Sequence, residues 1–340
     1  MRYIGIDCHK EFCQMSVVNE AGTEERNERV PTKRDALLAF LKGFQEDRSS
    51  AKFVIESTVR WRMVHDIIVG QGFEVKVAHP KGVKMIAASK IKTDKVDAYT
   101  LGNLLRVDMI PECHVASDAA QRWRKIVRHR YFLVNESTCL KNRIHSELRE
   151  EGIDIPKQYA KPFSQKGKAW MRSLHMLMVD DLLDCLEELE AKIRDIEGVI
   201  EDECLGDREA RRLSEIPGVG CYTALTLRAE IDDVDRFHDP ESICSYFGMV
   251  PSVSQSGSHC HHGPITKQGS PMVRFLLAEC VHVHATCCPG SGISRFLERK
   301  EGEIGKQRAA VAAARKLLVA IYFMLKRDEP FRGPQPDLEV

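Results

Sequence analysis

Residues 2–18, RYIGIDCHKEFCQMSVV, hold two short apolar runs parted by a polar turn, the pattern of two adjacent antiparallel strands. Further strand and helix signals alternate on the C-terminal side. A third strand is expected around 25–30. A helix follows over 34–44, with Ala36, Leu37, Phe40, Leu41 and Phe44 on one side. KFVIES (52–57) is a buried-strand run, 61–69 is helical, and FEVKVAHP (73–80) is a strand ending at Pro80. A helix over 94–107 closes the series. Three strands, helix, strand, helix, strand is an α/β order. It predicts a mixed sheet with helices on its faces.

Beyond this the chain turns helical. Residues 118–150 form a long basic helix carrying Trp123, Tyr131 and Phe132, and 156–168 is expected to be loop. The next helix places Val179, Leu182, Leu186, Leu189, Ile193, Ile196 and Ile200 at alternating steps of three and four. That stripe suits either a coiled-coil seam between copies of the chain or an antiparallel helix pair within one chain. LSEIPGVGCYTALTLRAEI (213–231) is two short helices joined by a Pro-Gly-Val-Gly turn, 242–269 is expected to be loop, and 272–284 and 305–325 are core helices. The expected domains are 1–115, 116–205 (a helical linker) and 206–330 (mainly α).

The 340 residues carry 50 basic and 50 acidic side chains. Zero net charge argues against a nucleic-acid binder, but the mean hides a segregation. Residues 121–149 hold eight Lys or Arg against two acids, whereas 180–203 hold eleven acids against Lys192 and Arg194. A basic segment beside an acidic one can still present a phosphate-binding surface, and two solvated helix faces would look the same. No apolar run is long enough to span a bilayer, and the N-terminus lacks a signal-peptide pattern. A cytoplasmic protein without membrane contact is expected, its twelve cysteines reduced.

Four acids fall where such a fold converges side chains. Asp7 ends the apolar half of the first strand, Glu56 ends the fourth, and Asp94 and Asp97 share one face of a helix start in TDKVDA. Each alone reads as a cap or turn residue. Together they suit phosphodiester chemistry on two Mg²⁺ ions about 3.5–4 Å apart, since Mg²⁺ prefers hard oxygen ligands. Without a cation such a cluster repels itself.

GIDCHK, VIEST and TDKVDA on the N-terminal side, with IPGVG, YFGMVPSVSQSG and ITKQGSPMVRFLL on the C-terminal side, give a further inference. With these motifs the chain resembles the DEDD transposases of insertion-sequence family one-ten, relatives of the Piv DNA invertases, over about residues 2–325. The resemblance implies a RuvC-like, ribonuclease-H-like N-terminal domain and a C-terminal transposase domain. It implies that Asp7, Glu56, Asp94 and Asp97 bind Mg²⁺ and that Ser256, of the Gln-Ser-Gly motif, is a nucleophile that becomes joined to DNA. It also implies a structured bridge RNA that pairs with donor and target DNA, and a homo-oligomer, dimer or tetramer, in which acids of one protomer meet the serine of another. From its residues alone Ser256 is one small residue in a turn-forming loop, and serine is a poor nucleophile until activated.

One departure is that Thr58 is followed by Val59 and Arg60 where a glycine is expected. Another is Ser258-His259-Cys260-His261-His262. It has the residue types of a metal site but a spacing better suited to a solvated loop. IPGVG is read as a helix-hairpin-helix turn in which Gly218 and Gly220 let a phosphate approach backbone N–H groups, or as a tight turn between core helices. Arg122, Arg124, Lys125, Arg128, Arg130, Lys141 and Arg143 are candidates for nucleic-acid phosphates, as are Lys267 and Arg274 around GSP. The expected function is an RNA-guided, Mg²⁺-dependent DNA recombinase with a serine–DNA intermediate. The rivals are a Holliday-junction-type endonuclease that uses water, and a non-catalytic nucleic-acid-binding protein.

Overall fold

The computed structural model describes residues 1–87, 93–256 and 259–331, which form an α/β protein in two compact units, Met1–Val115 and Ala116–Val340. In the first unit β1 (Arg2–Cys8), β2 (Phe12–Asn19) and β3 (Glu24–Pro31) make an antiparallel meander. They are followed by α1 (Arg34–Lys42), β4 (Ala51–Glu56), α2 (Trp61–Gly70), β5 (Glu74–Ala78), α3 (Pro80–Ile86) and α4 (Asp94–Arg106). The five strands lie in the order β3-β2-β1-β4-β5, with β4 and β5 parallel to β1.

The two-residue period of a strand divides these side chains between two faces. Ile4, Ile6, Cys13, Met15, Val17, Phe53 and Ile55 pack with Leu37, Leu41, Val64 and Ile68 of α1 and α2. Each such buried side chain contributes roughly 1.5–3 kcal/mol. On the other face Val54 and Ala78 meet Leu101 and Leu105 of α4. Gly5, Asp7 and Glu56 alternate with the first set and therefore stand on the α4 face. The parallel register puts Ile6 opposite Ile55, so Asp7 and Glu56 follow at the same carboxyl edge of the sheet. Residues 73–80 were expected to be one strand. In the structure β5 stops at Ala78, and Pro80 opens α3, where its missing N–H costs nothing.

The second unit runs α5 (Asp118–Glu150), α6 (Gln165–Arg172), α7 (Leu177–Gly206), α8 (Arg208–Ser214), α9 (Cys221–Ile231) and α10 (Pro240–Tyr246), then a hairpin of β6 (Pro251–Ser256) and β7 (His259–Ile265). It ends with α11 (Pro271–Cys287), α12 (Gly292–Ile304) and α13 (Lys306–Lys326). Helices α5 and α7 lie antiparallel, as ion pairs from Arg122 to Glu203, Arg130 to Glu197 and Lys141 to Glu190 record. Val179 and Leu186 of the α7 stripe are buried with Ile144 and Leu148 of α5, while Ile200 joins Trp123 and Val127 in a larger core with α9, α11 and α13.

Two expected loops contain regular structure. Helix α6 begins inside 156–168, and 242–269 holds most of α10 and the β6–β7 hairpin. Residues 251–255 of the hairpin are exposed and show no apolar alternation, so the strand carries no periodic signal in the sequence. Helix α12, also unforeseen, buries only Ile293, Ser294 and Leu297. Among the described residues no helix is long and apolar enough to cross a membrane. The twelve cysteines are free thiols.

Candidate functional site

Two features bring the carboxylates of the first unit together. Asp7 and Glu56 end neighbouring parallel strands, and α4 crosses the same face with Asp94 and Asp97 in its first turn. Thr93 caps that helix, its hydroxyl accepting a hydrogen bond from the Val96 amide at 3.3 Å. Asp7 is buried, while Glu56, Asp94 and Asp97 are half-buried.

Burial pushes the Asp7 carboxyl above its ordinary value of 3.8. The charges of Asp94 and Asp97 raise it further, and His9 opposes them. The neighbouring Cys8 thiol is also pushed up, first by its hydrogen bond with Cys13, then by burial and the Cys13 charge, and finally by Asp7 and Glu56. All four acids thus act on one small region. Repelling carboxylates of which one is buried have the donor chemistry of a divalent-cation site: hard, anionic oxygen, costly without a counter-charge.

The sequence reading missed His9. Its Nε2 lies 3.2 Å from Asp7 Oδ2 and 3.4 Å from Asp94 Oδ1. Candidate ligand atoms of Asp7, His9 and Asp94 all fall within 4.8 Å of one another. The histidine two places after Asp7 in GIDCHK was the available signal. Arg29 approaches from β3, 3.7 Å from Asp94. At the Glu56 strand end the left-handed residue is Arg60 (φ 61°), the N-cap of α2. A glycine one place after Thr58 would not occupy that position.

In the second unit most of the candidate phosphate-binding cations are engaged within the chain. Arg128 and Arg124 lie 2.7 and 3.5 Å from Glu230, which is 5% exposed. Arg130 pairs with Glu197 and lies 4.1 Å over the Tyr222 ring. Arg122 donates to Glu203, which also accepts from the Trp123 indole. Lys141 faces Glu190 and Arg143 pairs with Glu147. Lys125 is exposed. Of the three aromatics on this helix Trp123 is core, whereas Tyr131 and Phe132 are exposed.

The IPGVG turn joins α8 to α9, and its two glycines differ. Gly218 (φ +91°) packs on α11, where a Cβ would sit 2.6 Å from the Cys280 carbonyl oxygen. A Cβ on Gly220 would meet nothing within 4 Å. Only Gly220, at the uncapped start of α9, leaves the backbone open to an approaching group. Buried His284 fastens the turn from α11, with its two ring nitrogens 2.8 Å from the Pro217 carbonyl and 2.8 Å from the Ser291 hydroxyl.

Arg274 donates to the carbonyls of Phe247 and Gly269, and burial lowers its pKa. It stitches YFGM to KQGSP. Lys267 is exposed with a left-handed backbone (φ 54°). Ser256 ends β6 and pairs with His259 across the hairpin. Its side chain, with those of His259 and His262 and all of Ser258, lies outside the described residues.

A mixed five-stranded sheet with acids converging at its carboxyl edge defines an α/β protein consistent with a ribonuclease-H-like DEDD domain. Comparison with known proteins agrees with this class at both ends of the chain. Residues 4–152 match the DEDD transposase model of the IS110 group, and residues 210–294 match the model "Transposase IS116/IS110/IS902 family". The chain is 26% identical to the transposase for insertion sequence element IS1111A of Coxiella burnetii, over 98% of this chain and 92% of the relative. It is 28% identical to the transposase for IS1328 of Yersinia enterocolitica over 63% and 64% of the two chains. It is 24% identical to the pilin gene-inverting protein of Moraxella bovis over 87% and 86%. The chain belongs to the IS110-type DEDD transposase family and is a DNA transposase/recombinase.

Proposed function

We propose that this transposase moves or inverts DNA by a divalent-metal-dependent, site-specific strand exchange, with Asp7, Glu56, Asp94 and Asp97 as the metal-holding residues and Ser256 as the nucleophile. The observation that carries the reading is the meeting of Asp7 and Asp94 on the α4 face, where burial and like charge make a cation the natural complement. A divalent family cofactor fits that donor set, and Mg²⁺ is the ion that oxygen-rich sites of this kind suit. When bound, it would supply positive charge to a scissile phosphate and its leaving oxygen.

The residues divide the work. Asp7 is the fixed, buried donor on the sheet. Asp94 and Asp97 are half-exposed on the first turn of α4, which leaves them accessible to a DNA backbone. Ser256 Oγ bonds to phosphorus as one phosphodiester bond breaks, and the departing DNA hydroxyl carries away a proton. Bond number is conserved, so a hydroxyl from the exchange partner can reverse the step and rejoin the strands. Water attack would end in hydrolysis.

The reading extends to its partners. Donor and target DNA are brought together on a homo-oligomer in the cytoplasm, and a structured bridge RNA supplies sequence choice. Exposed Lys125, Lys267, Tyr131 and Phe132, with the open turn at Gly220, are the surfaces offered to nucleic acid, while the paired arginines of α5 chiefly hold the helices together. Purified protein, labelled element-junction DNA, RNA transcribed from the flanking sequence and Mg²⁺ test this on a denaturing gel. A protease-sensitive protein–DNA adduct that Ser256→Ala abolishes supports the serine step. Cleaved DNA without an adduct, unchanged in Ser256→Ala, would make the protein a water-using nuclease.

A further inference from the structure

We propose that His9 supplies a nitrogen ligand to the cation held by Asp7 and Asp94, making the site a mixed nitrogen–oxygen one that favours Mn²⁺ over Mg²⁺ more than a four-carboxylate site would. The inference rests on the reading of those carboxylates as a metal site. Nε2 of His9 is buried and lies 3.2 and 3.4 Å from oxygens of the two carboxylates, outside the geometry of a well-formed hydrogen bond, and its proximity opposes the rise in the Asp7 pKa. Two donors on adjacent corners of an octahedron with bonds of about 2.1 Å stand about 3 Å apart. The separations are close to that edge, and they lack the alignment of an N–H pointing at oxygen. The three ligand atoms lie within 4.8 Å of one another, close enough to share one ion.

The ring is held in place from behind. The His9 amide donates to the Phe12 carbonyl at 2.9 Å, and the His9 carbonyl accepts from the Thr32 hydroxyl at 3.1 Å. Its ring packs on Phe12, 4.8 Å between centroids, and the Arg29 guanidinium covers the Phe12 ring at 4.4 Å. The β1–β2 turn thus presents Nε2 at a fixed place. Imidazole is a poorer partner for Mg²⁺, which keeps water and oxygen, than for the first-row transition ions.

The test is Mn²⁺ binding to the full chain without nucleic acid, followed by electron paramagnetic resonance, with Mg²⁺ as competitor. The expected result is ¹⁴N modulation of the bound Mn²⁺ signal in the wild type that is absent in His9→Ala. The preference for Mn²⁺ over Mg²⁺ should fall about tenfold or more in that variant. His9→Asn, which keeps a polar side chain in the turn, should show the same loss with unchanged thermal unfolding. Bound Mn²⁺ without ¹⁴N modulation in the wild type, or a preference unmoved by both substitutions, would overturn the proposal. Asp7→Asn separates the two readings. Loss of all Mn²⁺ binding in that variant keeps the carboxylate site, whatever His9 does, and wild-type binding would remove it.

Discussion

Gly5 of β1 and Gly102 of α4 meet backbone to backbone. A Cβ on Gly5 would lie 2.5 Å from the Gly102 amide nitrogen and 2.0 Å from the Ala98 carbonyl oxygen. The absence of two side chains lets α4 settle on the sheet, and that approach brings Asp94 and Asp97 to Asp7.

Gly5→Ala is therefore expected to push α4 off the sheet. The cost is about 1–3 kcal/mol or more, since the atoms met are backbone and cannot rotate away. Chemical denaturation gives the stability change, and divalent-cation affinity should fall with it. A variant as stable as wild type with normal metal binding would show that the helix is positioned by other contacts.

The pH dependence of Asp7 has a definite sign. Its folded pKa lies above the ordinary value, chiefly through burial. The stability associated with the protonated carboxyl is fully present below the unfolded pKa and is lost as pH rises through the folded one. Near neutrality and without metal the ionised Asp7 is a burden. Asp7→Asn should then melt at a higher temperature than wild type, and the gap should close toward acid. Mg²⁺ should raise the wild-type melting temperature and leave the variant unmoved. A variant that melts lower than wild type at neutral pH would contradict this.

Glu230 anchors the basic helix α5 to α9. Removing it in Glu230→Ala takes the counter-charge from Arg124, a largely buried guanidinium that keeps only its hydrogen bonds to the Ala229 and Glu230 carbonyls. The expected cost is about 2–4 kcal/mol, below that of a fully buried pair because Arg128 is 59% exposed. Arg128→Ala should cost under about 1 kcal/mol. Urea midpoints of the two variants decide it, and equal midpoints would mean that Glu230 contributes no more than its exposed pair with Arg128.

Much of the first unit was legible because its signals are local. Alternating runs marked the strands, and the three-residue step of Asp94 and Asp97 put both on one helix face. His9 was not legible, since a histidine in a turn carries no period and its partners are set by the hairpin and by α4. The α7 stripe shows a different limit. Steps of three and four look the same whether the partner is another copy or α5 of the same chain, and here Val179 and Leu186 pack against Ile144 and Leu148. Charge misled for the same reason. Arg130 and Glu197 are 67 residues apart in sequence, and nothing local reveals that they neutralise each other.

Strand transfer on DNA carrying the element's ends, compared for wild type and Asp94→Asn across a Mg²⁺ titration, tests the central claim most directly. Asp94 can be changed with little risk to the fold, because its side chain is 37% exposed at a helix start. The account predicts activity that requires the divalent cation and falls at least about a hundredfold in the variant, a loss of roughly 2.7 kcal/mol or more in transition-state stabilisation. Strand transfer that persists at the wild-type rate in Asp94→Asn, or without a divalent cation, would contradict it.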